Sequence, residues 1–140
     1  MDTAPYLSRI ADRQPGANPL MDFLQIEPVK MGPQEVQFCL RSSGDLAQGA
    51  GLVGGGILAT LADEAMAHLC LFHLGDGKAT VTVELTMRYL KPAMPGDTLI
   101  GRAFPVKMGR TIMHVEAEVL RERDNECLAR SQAVFMAVGK

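Results

Sequence analysis

Residues 57–71 can be placed in few ways. Ile57, Leu58, Leu61, Ala62, Ala65, Met66 and Leu69 recur at helical spacing, and the opposite side carries Ala59, Ala67, Cys70 and Leu71. Only Thr60, Asp63, Glu64 and His68 break this surface, as one narrow arc. A helix apolar nearly all round belongs inside a protein, so the rest of the chain must wrap it. The helix is expected over 56–73, fed by a loop from Ser42 that is rich in glycine. Strand-like segments follow at 80–89, 98–107, 111–121 and 127–138, with turns at Pro95-Gly96, Met108-Gly109 and Asp124-Asn125. From Thr80 to Tyr89 the alternation places Val81, Val83, Leu85, Met87 and Tyr89 on one face, and Thr80, Thr82, Glu84, Thr86 and Arg88 on the other. Segments 21–29 and 34–41 read as two further strands around Met31-Gly32-Pro33. The fold class is therefore α+β, an antiparallel sheet wrapped around one long central helix.

A chain of 140 residues fits one domain, expected over 1–140, with residues 1–18 as a helical extension built on Leu7, Ile10 and Ala11. Asn18-Pro19 marks the turn into the main body. At 47% hydrophobic the chain can fill a core, and a net charge of −2 argues against a nucleic-acid or anionic-membrane surface. Cys39, Cys70 and Cys127 are odd in number and lie in apolar segments, which reads as reduced thiols. No basic-then-apolar leader opens the chain, and no apolar run approaches the ~20 residues that span a bilayer. A cytoplasmic location is expected.

Several motifs fail on context. Gly49 to Gly54 spells G-x-G-x-x-G, but a dinucleotide site needs a strand directly before it and a βαβ continuation, and here hairpins follow. His68 and His73 are five apart and diverge around the helix, so they do not pair on a metal. Cys70 faces small apolar residues, and Ser131 has no histidine near it in the sequence. No metal or cofactor is expected.

Asp63 has two readings. It belongs to the polar arc of a helix surface, or it is a working acid. The second is favoured by the narrowness of the arc and by Ala59 and Ala67, which leave room one turn to either side. It is favoured also by a glycine-built helix start with no Ser, Thr, Asp or Asn cap, whose N–H groups stay available. A polarising amide and an acid on one helix point to chemistry on a carbonyl.

These residues resemble the hotdog-fold thioesterases, in particular the phenylacetate-degradation type and its 4-hydroxybenzoyl-CoA thioesterase relatives. The likeness runs from Leu20 to Val138 and rests on Gly55-Gly56-Ile57-Leu58-Ala59-Thr60-Leu61-Ala62-Asp63, on Tyr89-Leu90-Lys91-Pro92 through Pro95-Gly96-Asp97, and on the Gly109-Arg110 hairpin. It implies a hotdog fold and hydrolysis of an acyl-CoA. It assigns the Gly55 N–H to the thioester carbonyl, Asp63 as nucleophile or general base, and Gln48 and Thr82 to positioning of water or substrate. Gly54 stands where such enzymes usually carry a histidine, and Gly54 and Gly56 flank the carbonyl site. Arg88, Lys91, Lys107 and Arg110 are candidates for the CoA phosphates, with Arg88 and Lys91 expected on the strand neighbouring the 107–110 turn.

Gly55 and Asp63 are eight residues apart, about 12 Å along one helix, too far for one carbonyl to reach both. A two-fold pair of antiparallel helices would bring Gly55 of one chain to Asp63 of the other. A homodimer is therefore expected, and a dimer of dimers is implied by the resemblance. Two other readings stand beside hydrolysis: a hotdog hydratase or dehydratase of enoyl thioesters, which would want a histidine near the helix start, and a non-catalytic acyl-CoA binder.

Overall fold

The computed structural model describes residues 1–139. The elements run α1 (Thr3–Ala11), α2 (Pro19–Leu24), β1 (Ile26–Met31), β2 (Val36–Arg41), a 3₁₀ turn (Gly44–Leu46), α3 (Gly55–Leu71), β3 (Lys78–Tyr89), β4 (Thr98–Met108), β5 (Ile112–Arg121) and β6 (Glu126–Gly139). The six strands form one sheet in the order β1-β2-β4-β5-β6-β3, antiparallel throughout. The expected α+β hotdog architecture is what the chain adopts. β3 leaves α3 directly yet lies at the far edge beside β6, so the sheet curls around the helix.

Close approach of helix to sheet depends on small residues. Leu61 of α3 presses on Gly101 of β4, where an added Cβ would stand 2.9 Å from Leu61 Cγ. Ala103, Ala117, Ala129 and Ala133 are buried on the same concave face. Leu58, Leu61, Ala62, Ala65, Met66 and Leu69 fill the space above them, with Phe38 and Phe135 fully buried alongside. The turn into β4 needs glycine at Gly96, whose φ is +97 behind Pro95, the pairing that a type II turn favours.

Two sequence expectations fail. Segment 21–29 is not one strand, because Pro19–Leu24 forms a helical turn before β1. Its start was legible: the Asn18 side chain accepts from the N–H of Leu20 and Met21, and proline occupies the first helical position. The second failure lies in β3, whose pairing with β6 slips between Thr82 and Glu84 and leaves Val83 as a bulge. One extra residue reverses which face the alternate side chains take. Thr82 therefore faces α3 before the bulge, whereas Leu85, Met87 and Tyr89 face it afterwards. Val81 and Val83, expected beside Leu85, turn outward instead and are 42% and 57% exposed.

The N-terminal segment is bolted to α3 by a polar cluster. The His68 Nδ1–H donates to the Glu64 backbone carbonyl at 2.7 Å, so Nε2 is left to accept the Tyr6 hydroxyl at 3.0 Å. The Asn18 amide donates to Tyr6 Oη at 3.2 Å and to Glu64 Oε2 at 3.0 Å. His68 is 2% exposed, and burial holds its imidazole down to about 4. It is therefore neutral, and its 3.8 Å approach to the Glu64 carboxylate is not an ion pair.

A group with a depressed basic pKa stabilises the fold above its unfolded value and loses that stability as pH falls towards the folded one. The window here runs from about 6.5 down to about 4. Over it the wild type is expected to lose up to about 3 kcal/mol relative to His68→Gln, which cannot titrate. Urea midpoints of both proteins measured from pH 7 to pH 4 check this, and parallel curves would contradict it.

Candidate active site

The start of α3 is built from backbone alone. Gly54, the N-cap, offers no side-chain oxygen, and its N–H donates to Leu46 O at 2.9 Å. The Ile57 N–H turns back to Gly54 O at 2.9 Å. Gly55 and Gly56 are exposed, and among the described residues their N–H groups have no acceptor. Two free donors at the positive end of a 17-residue helix have the chemistry to receive a carbonyl oxygen or an anion. The preceding loop is pinned by Val53 N–H on Ala93 O at 2.9 Å.

Two turns along α3, Asp63 is half-buried, and Thr82 of β3 donates its hydroxyl to Asp63 Oδ1 at 2.8 Å. Burial pushes the Asp63 carboxyl above its ordinary value, while the Thr82 bond draws it back. A carboxylate with one oxygen held and a raised pKa is suited to accept a proton or attack an electrophile. Thr82 reaches it only because the Val83 bulge turns the two threonine positions before it towards the helix. Thr80 Oγ1, two residues upstream, is buried without a partner among the described residues.

Glu64, next to Asp63, does not share the site. It points under the N-terminal segment to Asn18, and its carboxyl is raised by burial. Cys70 is buried with its thiol pushed up to about 12, which agrees with a structural cysteine.

The other sequence candidates are scattered. Gln48 is exposed and folds its side chain onto its own loop, where Oε1 accepts the Ala50 N–H at 2.6 Å. Lys91 is paired with Glu126. Arg88 lies on the outer face of the sheet, beside a shallow cavity of ≈ 280 Å³ shared with Phe104, Glu116, Glu118 and Arg130. Lys107 and Arg110 sit exposed at the β4–β5 hairpin. The expectation that Arg88 and Lys91 lie on the strand beside that hairpin is overturned, because β5 and β6 intervene between β4 and β3. Within one chain the four basic residues make no single patch.

Residues 50–128, more than half of the chain, match the family model described as the thioesterase superfamily. The chain belongs to the thioesterase superfamily. Among solved structures, a thioesterase family protein from Silicibacter pomeroyi superposes with a TM-score of 0.85 at 26% identity, covering 96% of this chain and 99% of that one. The E. coli PaaI protein from the phenylacetic acid degradation operon gives 0.84 at 21%, over 98% and 96%. The smu.793 protein of Streptococcus mutans, solved bound to acetyl CoA, gives 0.75 at 23%, over 82% and 90%. The last two show the fold alone. A Deinococcus radiodurans protein with a provisional esterase name is 35% identical over 79 residues, 56% of this chain and 51% of that one. The chain spans about half the length of the curated relatives it matches.

Sequence reasoning missed Tyr89. Its hydroxyl donates to the Gly55 carbonyl at 2.6 Å, and its ring lies against the glycine. The alternation had put Tyr89 on the face of Leu85 and Met87, which it takes, but nothing local in the Tyr-Leu-Lys-Pro run recorded that its hydroxyl meets Gly55, 34 residues away.

Proposed function

We propose that this member of the thioesterase superfamily hydrolyses an acyl-CoA to the free acid and CoA. The observation that carries the reading is the pairing on one helix of two acceptor-free glycine amides with a half-buried, Thr82-held carboxylate. The Gly55 N–H, aided by that of Gly56 and by the helix dipole, polarises the thioester carbonyl. Asp63 attacks that carbon, the C–S bond breaking to release the CoA thiolate and leave an anhydride that water hydrolyses to the acid, or it takes a proton from water that attacks directly and passes it to the departing CoA sulfur. Thr82 and Gln48 orient the reactants. Charge developing on the carbonyl oxygen is met by the amides, so the tetrahedral species is stabilised more than the substrate. No step calls on a metal or cofactor. The acetyl CoA bound by the Streptococcus mutans neighbour supports a CoA thioester as substrate.

One chain supplies half of each site. Gly55 and Asp63 lie about 12 Å apart along α3, so the carbonyl held by one chain's amides meets the carboxylate of a second copy. β3 supports such pairing: it is a 12-residue edge strand with its outer ladder unfilled, and long edges of this kind are covered in native proteins. The working unit is a homodimer, and a dimer of dimers is its natural extension. Lys107 and Arg110, exposed at the β4–β5 hairpin, are the candidates for contact with CoA phosphates. A cytoplasmic location fits the substrate, and among the described residues no helix is long and apolar enough to cross a membrane.

The test combines turnover with dilution. Free thiol released from a panel of acyl-CoAs should appear at enzyme concentrations where sedimentation shows dimer or tetramer. Specific activity should fall as the protein is diluted into monomer. A fully active monomer overturns the shared site. Tight acyl-CoA binding without thiol release overturns hydrolysis in favour of a binding protein, and hydration of an enoyl-CoA would favour the hydratase reading.

A further inference from the structure

The amides at the head of α3 face a physical difficulty. Two consecutive glycines have wide backbone freedom, they are exposed, and the N-cap glycine has no side chain to hold the first turn. Helix ends of this kind fray, and a frayed end cannot present donors in a fixed direction. Upstream pins act on Val53 and Gly54, which precede the two donors.

Tyr89 supplies the missing constraint. Its hydroxyl donates to the Gly55 carbonyl at 2.6 Å from across the sheet edge, 34 residues away in sequence. Its ring closes over the same residue: a Cβ on Gly55 would lie 3.1 Å from Tyr89 Cζ and 3.2 Å from its oxygen. The contact thus fixes Gly55 by direct packing and by a short bond at once. The Gly55 carbonyl belongs to the same peptide plane as the Gly56 N–H. Holding that carbonyl fixes the direction of the Gly56 amide, and a hydrogen bond on a carbonyl also strengthens the N–H of its peptide as a donor. Downstream, Thr60 Oγ1 donates to Gly56 O at 2.9 Å and steadies the next peptide in the same way.

We propose that Tyr89 is a positioning residue for the carbonyl site, a clamp on the Gly55–Gly56 peptide that takes the place of a side-chain cap. It touches neither of the reacting groups and acts through the glycine amides. The inference rests on the reading of those amides as the carbonyl site.

The deciding variant is Tyr89→Phe, which keeps the ring against Gly55 and removes only the hydroxyl. Turnover of an acyl-CoA should drop about three- to tenfold in kcat, the range expected for one neutral hydrogen bond, with KM held within about twofold. By NMR, exchange of the Ala59 amide, which the first helical turn bonds to the Gly55 carbonyl, should quicken while amides in the middle of α3 keep wild-type rates. A second variant separates the clamp from general damage. Gly55→Ala pushes on the same ring, so its loss in kcat and that of Tyr89→Phe should be sub-additive in the double variant. Wild-type kcat together with unchanged Ala59 exchange in Tyr89→Phe overturns the clamp while leaving thioester hydrolysis standing. A rise in KM alone overturns it too, since Tyr89 would then be a substrate contact. A wild-type protein that turns over no acyl-CoA overturns the thioesterase reading and the catalytic meaning of the clamp together.

Discussion

Asp63→Asn should lower kcat by at least about 10²-fold, in the range lost when an acid–base group is removed. The amide is nearly isosteric, and its oxygen can still accept the Thr82 hydroxyl that Asp63 Oδ1 now accepts at 2.8 Å. What it lacks is a basic or nucleophilic oxygen, so binding of acyl-CoA should change little while turnover collapses. pH adds a second signature. Burial raises the Asp63 carboxyl, so activity that needs the ionised form should fail, as pH is lowered, earlier than an ordinary aspartate would dictate. Any residual activity of the Asn variant should lack that acid limb.

Stability should move the opposite way. A carboxyl raised in the folded state contributes stability below its unfolded pKa, and that contribution is lost as pH rises through the folded value. Asn does not titrate, so the variant's advantage over wild type should grow across that window and level off above it. A folded, dimeric Asp63→Asn protein with near wild-type turnover would remove Asp63 from the mechanism.

The helix and most of the sheet could be read from the sequence because each is written as local periodicity. The expected helix over 56–73 is Gly55–Leu71, and the four later strands match to within about two residues, the ordinary uncertainty of element boundaries. What could not be read depends on partners distant in the chain. The Val83 bulge is a register slip against Val134 and Phe135, and no pattern within β3 records it. Its consequence is large, since the unbroken alternation put Thr82 on the face away from Leu85, whereas both face α3. The role of Thr82 came from resemblance alone, and the bulge is the physical reason its hydroxyl can reach Asp63. Strand order likewise escaped the sequence, and with it the separation of Arg88 from the hairpin carrying Lys107. The arc of Thr60, Asp63, Glu64 and His68 was legible as polar. That half of it lies beneath the N-terminal segment was not, because Asn18 and Tyr6 meet it from 46 and 62 residues away.

That covered half carries the largest stability effect. Asn18 uses its whole side chain: the oxygen accepts two amides at the start of α2, and the NH₂ serves both Tyr6 and Glu64. Asn18→Ala removes a helix cap, a loss of about 1 kcal/mol, and leaves the Glu64 carboxylate short of its donor, a further cost of about 1–3 kcal/mol. A combined loss of about 2–4 kcal/mol is expected, read as a lower urea midpoint with little change in slope. Asn18→Asp separates the two causes. Its carboxylate can still cap α2, but it sets a second negative charge beside Glu64, whose carboxyl burial already raises. Like charge raises it further, and the stability such a group confers at low pH is lost as pH rises. Asn18→Asp should therefore be near wild type in acid and fall away towards neutral pH, whereas Asn18→Ala should be weakened at both. If the two variants follow parallel pH curves, Asn18 matters as a cap alone and the bond to Glu64 does not hold the N-terminal segment to the central helix.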